Sequence, residues 1–330
     1  MNRRSFFRTC IPGLFLALGI TSGIPSAWAQ MDRPVTIVVP YAPGATSDLL
    51  GRLLSQQMGP LLKRTILVEN KPGAGSTVGA SQVAHAAPDG NTLLLATSTT
   101  LAINPWLYKK LPYDPAKDFT PIGLVASVPL VVIVHPSVKA QSIAELIALA
   151  KSSPEPLTYG SAGNGSPQHL AAAMFAAATG IELNHIPYKG SSPALTDLLG
   201  EQIKVMFIDI APALQYIRSG KVRALAVTSS QRHATLPTVP TIAESKAPGT
   251  ASFEAVAWQG LVAPAGTPAA MIEQYNKTLN AVLAQPDFRK RLESEGVEPN
   301  SSTVEHFGAF IKSETQRWSG IVKAANVTLD

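Results

Sequence analysis

The sequence VTIVVPYAPGATSD, at residues 35–48, is typical of one class of fold. Its first five residues are an apolar, β-branched run, which is typical of a buried strand. A glycine-containing loop follows, and apolar residues at helical spacing continue over residues 47–62. A strand, a loop and a helix in this order predict the first unit of an α/β fold with a mostly parallel sheet.

The same alternation continues along the chain. Apolar runs predict further strands at residues 65–68, 92–96, 128–134, 157–159, 183–188, 204–208, 222–227 and 258–262. Helical patterns predict helices at residues 77–87, 213–219, 268–283 and 304–325, and others that begin near residues 142, 167 and 193. Ser142 and Glu145 have the spacing of a capping box, in which each side chain satisfies a backbone N–H at a helix start.

Two mixed α/β lobes follow from this order. We expect the run at 258–262 to be a second strand crossing between the lobes, so that the tail helices return to the first lobe. Lobe 1 would then comprise residues 30–127 and 258–330, and lobe 2 residues 128–257. Interleaved lobes of this kind form a hinge with a cleft between them. The alternative is two lobes in sequence, with no return.

The composition of the chain excludes several classes of protein and of partner. The chain has 330 residues, of which 45% are hydrophobic and 15% charged, and this suits a well-buried globule rather than a disordered or coiled-coil protein. The chain has 27 basic and 22 acidic residues. Arg3, Arg4 and Arg8 lie in the first 29 residues, which hold no acidic residue, so the rest of the chain has 24 basic and 22 acidic residues. Such a balance gives no reason to expect nucleic acid or an anionic membrane as a partner.

Residues 1–29 have the layout of a cleaved export signal. A basic start precedes an apolar run at residues 11–20, and small residues close the segment, so we expect cleavage after Ala29. The arginine pair at 3–4 also fits a twin-arginine signal, and an ordinary secretory signal remains equally open. Cys10 is the single cysteine, so the mature chain would hold neither disulfide nor thiolate. No other stretch approaches the ~18 apolar residues of a membrane span.

Four loops that follow predicted strands could hold a ligand. They are YAPGATSD at 41–48, KPGAGST at 71–77, GSAGNGSP at 160–167 and YKGSSP at 188–193. Glycine allows close backbone approach, and free N–H groups at a helix start favour an anion. The pairs Ser166-Pro167 and Ser192-Pro193 are each expected to supply an N-cap and the first helical residue. A cleft lined in this way can hold a carboxylate with neutral donors.

Signals for catalysis, metals and nucleotides are weak. The histidines lack zinc spacing, no serine fits a hydrolase elbow, and neither a P-loop nor a matching dinucleotide fingerprint is present, so we expect no metal and no cofactor. His169 could serve Ser166 as a base, but packing against the loop is the simpler interpretation. Asp48 fits a first-turn carboxylate better than a ligand contact. Asp209 could contact ligand or cap the helix near Pro212.

Several motifs together resemble one known family. They are PYAPG at 40–44 with Asp48, ENKPGAG at 69–75, YGSAGNGS at 159–166 with His169 and Leu170, PYKG at 187–190 with DLLG at 197–200, RALAVT at 223–228 and GLVAPAGTP at 260–268. In content and order they resemble the Bug-type receptors, the periplasmic solute-binding components of tripartite tricarboxylate transporters.

The resemblance implies a two-lobed protein of the periplasmic binding protein type (type II-like). Such a receptor closes on a small carboxylated solute, gripped by the first and third loops partly through ordered water, and presents it to a membrane transporter. The chain departs from the family at Ala45 and Ser76, where added side chains could shift the carboxylate, and in the segment around Asp209. An acidic Asp209 would suit a solute that carries an ammonium or a ring nitrogen.

The sequence therefore predicts an exported periplasmic receptor, most simply a monomer, and not an enzyme. The expected ligand-binding residues are Tyr41, Gly44, Ala45, Thr46, Asp48, Gly75, Ser76, Thr77, Ser98, Ser161, Gly163, Gly165, Ser166, Tyr188 and Asp209. Two alternatives remain at this point: a secreted α/β hydrolase or isomerase acting on a carboxylate, and a receptor that feeds a signalling sensor.

Overall fold

A mixed α/β fold occupies residues 33–325, the part of the chain that the computed structural model describes. The expected export signal and its cleavage site after Ala29 lie outside these residues. The strands are β1 (Val35–Val39), β2 (Ile66–Asn70), β3 (Thr92–Thr97), β4 (Phe119–Val134), β5 (Leu157–Ser161), β6 (Leu183–Pro187), β7 (Val205–Asp209), β8 (Arg223–Val227), β9 (Val256–Pro264) and β10 (Glu298–Pro299).

Helices connect most of these strands. They are α1 (Thr46–Leu62), α2 (Thr77–Ala84), α3 (Asn104–Leu107), α4 (Ile143–Ser152), α5 (Pro167–Thr179), α6 (Ser191–Leu199), α7 (Ile210–Arg218), α8 (Ala269–Leu283), α9 (Pro286–Ser294) and α10 (Val304–Ala325). A π-helical turn at Thr99–Ile103 and a 3-10 turn at Ala243–Ser245 complete the set. Within residues 33–325, no helix combines the length and apolarity that crossing a membrane requires.

The apolar run at residues 35–39 forms β1, in the first half of the sheet. β1 lies between β2 and β3 and is parallel to both. Val35, Ile37 and Val39 pack with the apolar face of α1, whereas Val38 on the opposite face packs with α2. A strand covered by helices on both faces is apolar at successive positions, which accounts for the uninterrupted run in the sequence.

A second set of parallel strands repeats this arrangement. β5 lies between β6 and β7 and is parallel to both. Phe207 packs against Phe175 of α5 on one face of the sheet, while Met206 and Ile208 pack with Leu198 of α6 on the other. The prediction of repeated strand-crossover units is confirmed in both halves of the sheet.

The sequence predicts a capping serine at the start of three helices. The Ser142 Oγ accepts a hydrogen bond from the Glu145 N–H at 3.2 Å, and the Ser166 Oγ accepts one from the His169 N–H at 3.3 Å, so both predicted caps are confirmed. The prediction for Ser192 and Pro193 was wrong. α6 begins at Ser191, because Gly190 adopts a φ of +134° and turns the chain into the helix two residues earlier.

Two long strands join the halves of the sheet. β4 pairs antiparallel with β9 as far as Pro129, and from Leu130 onward it pairs with β7. β9 in turn pairs with β3, which gives the strand order β2-β1-β3-β9-β4-β7-β5-β6. Two crossing strands between mixed α/β halves are the architecture of a two-lobed binding protein, as predicted. The lobe boundaries at residues 128 and 257 stay a prediction.

The tail of the chain packs on the first half of the sheet. Tyr275 and Leu279 of α8 share a core with Val35 and Leu50, and Trp318 of α10 shares one with Val38. The Glu314 carboxylate accepts hydrogen bonds from the Trp258 and Trp318 indole N–H groups at 2.9 and 3.1 Å, and both tryptophans are buried. α3 and α9 were not predicted: α3 has only four residues, and α9 buries only two, Phe288 and Leu292.

Candidate functional site

The glycine-rich turns from both halves of the sheet meet at one groove. This inter-loop groove has a volume of about 390 Å³ and is lined by residues 40–41, 72–76, 162–164 and 187–189, together with Tyr108. Residues from all four predicted loops or their edges therefore share one surface. Among the described residues that line the groove, Lys189 is the only one with a charged side chain.

The first loop is held by Asp48, which lies in the first turn of α1. Its Oδ2 accepts hydrogen bonds from the Gly44 N–H at 3.0 Å and the Arg52 Nε at 3.1 Å. Burial alone would raise the pKa of Asp48, but the bonds from Arg52 and Gly44 outweigh it and lower that pKa. Asp48 thus stays ionised and supports the loop in which Gly44 takes a φ of +82°.

The second loop lies close to the third at Gly75, whose φ is +60°. A Cβ at this position would lie 2.9 Å from the Tyr108 hydroxyl and 3.0 Å from the backbone oxygen of Asn164. Ser76 turns its hydroxyl away to Thr100, at 3.0 Å, and is 1% exposed. The extra side chain at residue 76 is therefore accommodated inside the protein, and Thr77 follows as the first residue of α2.

Hydrogen bonds within the third loop fix its shape. The Gly163 N–H donates to the Ser161 Oγ at 3.1 Å, and the Gly165 N–H donates to the His169 Nδ1 at 3.0 Å. The Ser166 Oγ is occupied in capping α5. His169 accordingly supports the loop and is not hydrogen-bonded through its ring to the Ser166 hydroxyl, which leaves the catalytic interpretation of this pair without geometric support.

A stack of three rings lies beneath the third loop. The imidazoles of His169 and His185 are parallel within 7°, with centroids 4.0 Å apart, and Tyr159 stacks on His185 at 4.8 Å. The His185 Nε2 also lies 2.7 Å from the Ser161 Oγ. Burial lowers the pKa of His169 to about 4, and burial together with the neighbouring His169 lowers that of His185 to about 3. Both rings are neutral at neutral pH.

Two tyrosines contribute ring surface to the groove. The Tyr188 hydroxyl donates to the Asp197 Oδ2 at 2.6 Å, and burial together with that carboxylate raises the pKa of Tyr188 to about 12. The Tyr41 hydroxyl donates to the Thr99 Oγ1 at 3.2 Å, and burial raises its pKa as well. Both hydroxyls therefore stay protonated and are engaged by the protein.

An inner cavity of about 30 Å³ adjoins the groove, since Tyr41 and Ala162 line both. Ala45 and Asp209 also line the inner cavity. The Asp209 carboxylate accepts a hydrogen bond from the Thr46 Oγ1 at 2.6 Å and one from the Gln168 Nε2 at 2.6 Å. Asp209 precedes α7, but its side chain makes no cap hydrogen bond, so the capping alternative is not realised.

The structure gathers most of the expected ligand-binding residues at the groove or the cavity, or in the turns that support them. Ser98 differs, because it is fully buried and its hydroxyl has no hydrogen-bond partner among the described residues. Sequence reasoning missed Asn164, Tyr108 and Lys189 at the groove, and Gln168 and Gln259 at the cavity. Of these, Asn164 and Lys189 lie in loops that were recognised, so they could have been included. Among the described residues there is no cluster of ligating side chains able to hold a metal.

The chain is similar to known proteins of one family. A model of the tripartite tricarboxylate transporter family receptor matches residues 50–327. The chain belongs to this receptor family. Protein BugT of Bordetella pertussis (strain Tohama I) is 35% identical over 318 residues, which cover 96% of this chain and 97% of BugT.

Solved structures agree with the receptor fold. The periplasmic binding protein BugD is 41% identical, with a TM-score of 0.85 over 90% of this chain and 98% of that one. R. palustris Rpa4515, solved with adipate, is 33% identical, with a TM-score of 0.87 over the same shares of the two chains. The prediction of a Bug-type receptor is confirmed, and the chain is a solute-binding receptor and not an enzyme.

Proposed function

We propose that this receptor works in the periplasm, where it captures a small carboxylate in the inter-loop groove and presents it to a tripartite tricarboxylate-type transporter. The observation that carries the proposal is the convergence of glycine-rich turns from both halves of the sheet on a groove whose one charged lining residue is Lys189. Backbone N–H groups and a cation favour an anionic solute. The relative solved with adipate supports a carboxylate as the kind of solute.

Capture would proceed by hinge closure. Residues 128 and 257 would mark the boundaries of the lobes, with the crossing strands β4 and β9 as the hinge. A carboxylate that contacts loops 41–48 and 160–167 at once binds the closed form better than the open one and shifts the population toward it. The expected residues of the first, second and third loops, with Tyr188 and Asp209, would form the binding surface of a monomer.

Carboxylates are expected to raise the melting temperature of the mature protein. A ligand present at about 100 times its dissociation constant stabilises the folded state by about 2.7 kcal/mol. The measurement is a thermal-shift screen with adipate, succinate, glutarate, malate, citrate, aspartate, glutamate and pipecolate, each beside its amide, in which every carboxylate is replaced, as the control. Stabilisation by at least one acid and by none of the amides supports the proposal. Equal shifts with acids and amides, or no shift with any acid, would contradict it.

A further inference from the structure

The inner cavity differs chemically from the groove that leads to it. Asp209 is 7% exposed, and its carboxylate is bonded only by neutral groups, the Thr46 hydroxyl and the Gln168 amide. No ion pair joins Asp209 to a cation within residues 33–325. A buried carboxylate without a cationic partner is costly, because neutral hydrogen bonds replace only part of its hydration.

Further acceptor atoms surround the same cavity. Gln168 and Gln259 both line it and are 5% and 4% exposed, and the side-chain oxygen Oε1 of each has no hydrogen-bond partner. The orientation of the Gln168 amide is set by Asp209, since only the NH₂ end can donate to a carboxylate. Three side chains that line one small space therefore carry buried oxygen acceptors, and an N–H-rich group is the kind of group that satisfies such atoms.

The size of the cavity limits what can enter. A volume of about 30 Å³ admits a small group of a solute and not a whole dicarboxylate. The groove next to it carries Lys189 and no acidic lining residue among those described, so the two spaces have opposite charge preferences.

We propose that the natural solute carries a positively charged nitrogen close to its carboxylate, and that Asp209 with Gln168 and Gln259 binds this nitrogen in the inner cavity. The inference rests on the proposed function and specifies its solute class as amino acids or cationic N-heterocyclic acids. The carboxylate lies in the groove and the nitrogen lies at Asp209. Attraction between opposite charges in a low-dielectric site is strong, and an acid without the nitrogen would meet Asp209 uncompensated.

A neutral Asp209 is the competing explanation. Burial raises the pKa of Asp209, so a protonated carboxyl could instead donate a hydrogen bond to a plain carboxylate. The two explanations predict different results for Asp209→Asn. If Asp209 is charged, the wild type prefers a cationic nitrogen and asparagine removes that preference. If Asp209 is neutral, the wild type has no such preference, and asparagine keeps a donor and therefore the binding of plain acids.

Titration calorimetry of the mature protein with matched pairs tests the inference. The pairs are succinate and aspartate, glutarate and glutamate, and cyclohexanecarboxylate and pipecolate. For at least one pair we expect the nitrogen-bearing acid to bind the wild type at least tenfold more tightly. Asp209→Asn is expected to reduce that preference to less than threefold. Glu273→Gln, which alters an exposed carboxylate on α8, is the matched control and should keep the preference.

The outcomes separate this inference from the function on which it rests. Plain acids that bind as tightly as their nitrogen-bearing partners, or a preference that survives Asp209→Asn, would overturn the inference and leave the receptor function standing. Failure of every acid to bind would overturn both. If Asp209→Asn does not fold, the wild-type pairs still decide the matter.

Discussion

Replacing Gly75 with alanine is expected to weaken carboxylate binding by about 10- to 100-fold. The added Cβ would lie 2.9 Å from the Tyr108 hydroxyl and 3.0 Å from the Asn164 backbone oxygen, so the second and third loops could no longer approach as closely as they do. Overpacking of this kind costs about 1–3 kcal/mol, and each 1.4 kcal/mol is a factor of ten in affinity. The measurement is titration calorimetry with the tightest acid from the thermal-shift screen.

Gly180→Ala is the matched control for this change. Gly180 has a φ of +65°, close to the +60° of Gly75, but a Cβ there would meet nothing within 4 Å. Both variants pay the same backbone strain, so the control should lose some stability and keep its affinity. Equal affinity in the wild type and Gly75→Ala would show that close approach of these loops does not contribute to binding.

Acidification from pH 7 to pH 4.5 is expected to lower the free energy of unfolding through the stacked histidines by about 3 kcal/mol, since solvent screens part of the effect at the half-buried His185. His169 and His185 are neutral in the folded protein, with pKa values of about 4 and 3, against 6.5 for an unperturbed histidine. Below pH 6.5 the unfolded chain therefore binds protons that the folded protein does not bind, and stability falls as the pH drops. Each unit of pKa difference is worth about 1.4 kcal/mol. Urea denaturation at the two pH values measures the change.

Two variants test whether the stacked histidines His169 and His185 cause this pH dependence. The double variant His169→Gln, His185→Gln keeps polar side chains but removes both titrating rings, so most of the fall should disappear. His85→Gln replaces an exposed histidine and should keep the full fall. A double variant as sensitive to acid as the wild type would show that other groups are responsible.

The parts of the fold that could be predicted depend on local patterns. The run at 35–39 predicts β1 correctly because each of its residues contributes to burial on one face or the other of a covered strand. Ser142 and Ser166 predict helix starts because capping involves residues only three positions apart. The prediction that Ser192 caps α6 was wrong, because the φ of Gly190 determines where α6 begins and a sequence does not display backbone angles.

The contacts within the site could not be predicted, because they join distant parts of the chain. Thr46 and Asp209 are 163 positions apart, and a single sequence gives no sign that their side chains meet. Gln259 lies on β9, in an apolar run that was correctly read as a strand, so nothing marked its amide as part of the cavity. The direction of the Ser76 side chain also followed from packing against Thr100 and not from its place in a glycine-rich loop.

A crystal structure of the mature protein with its tightest carboxylate tests the proposed binding mode most directly. We expect the carboxylate oxygens to lie in the inter-loop groove, within hydrogen-bond distance of backbone N–H groups of loop 160–167 and of loop 41–48 or 71–77. A carboxylate bound elsewhere, for example in the surface groove of about 620 Å³ beside α5, or held by one half of the protein alone, would contradict it.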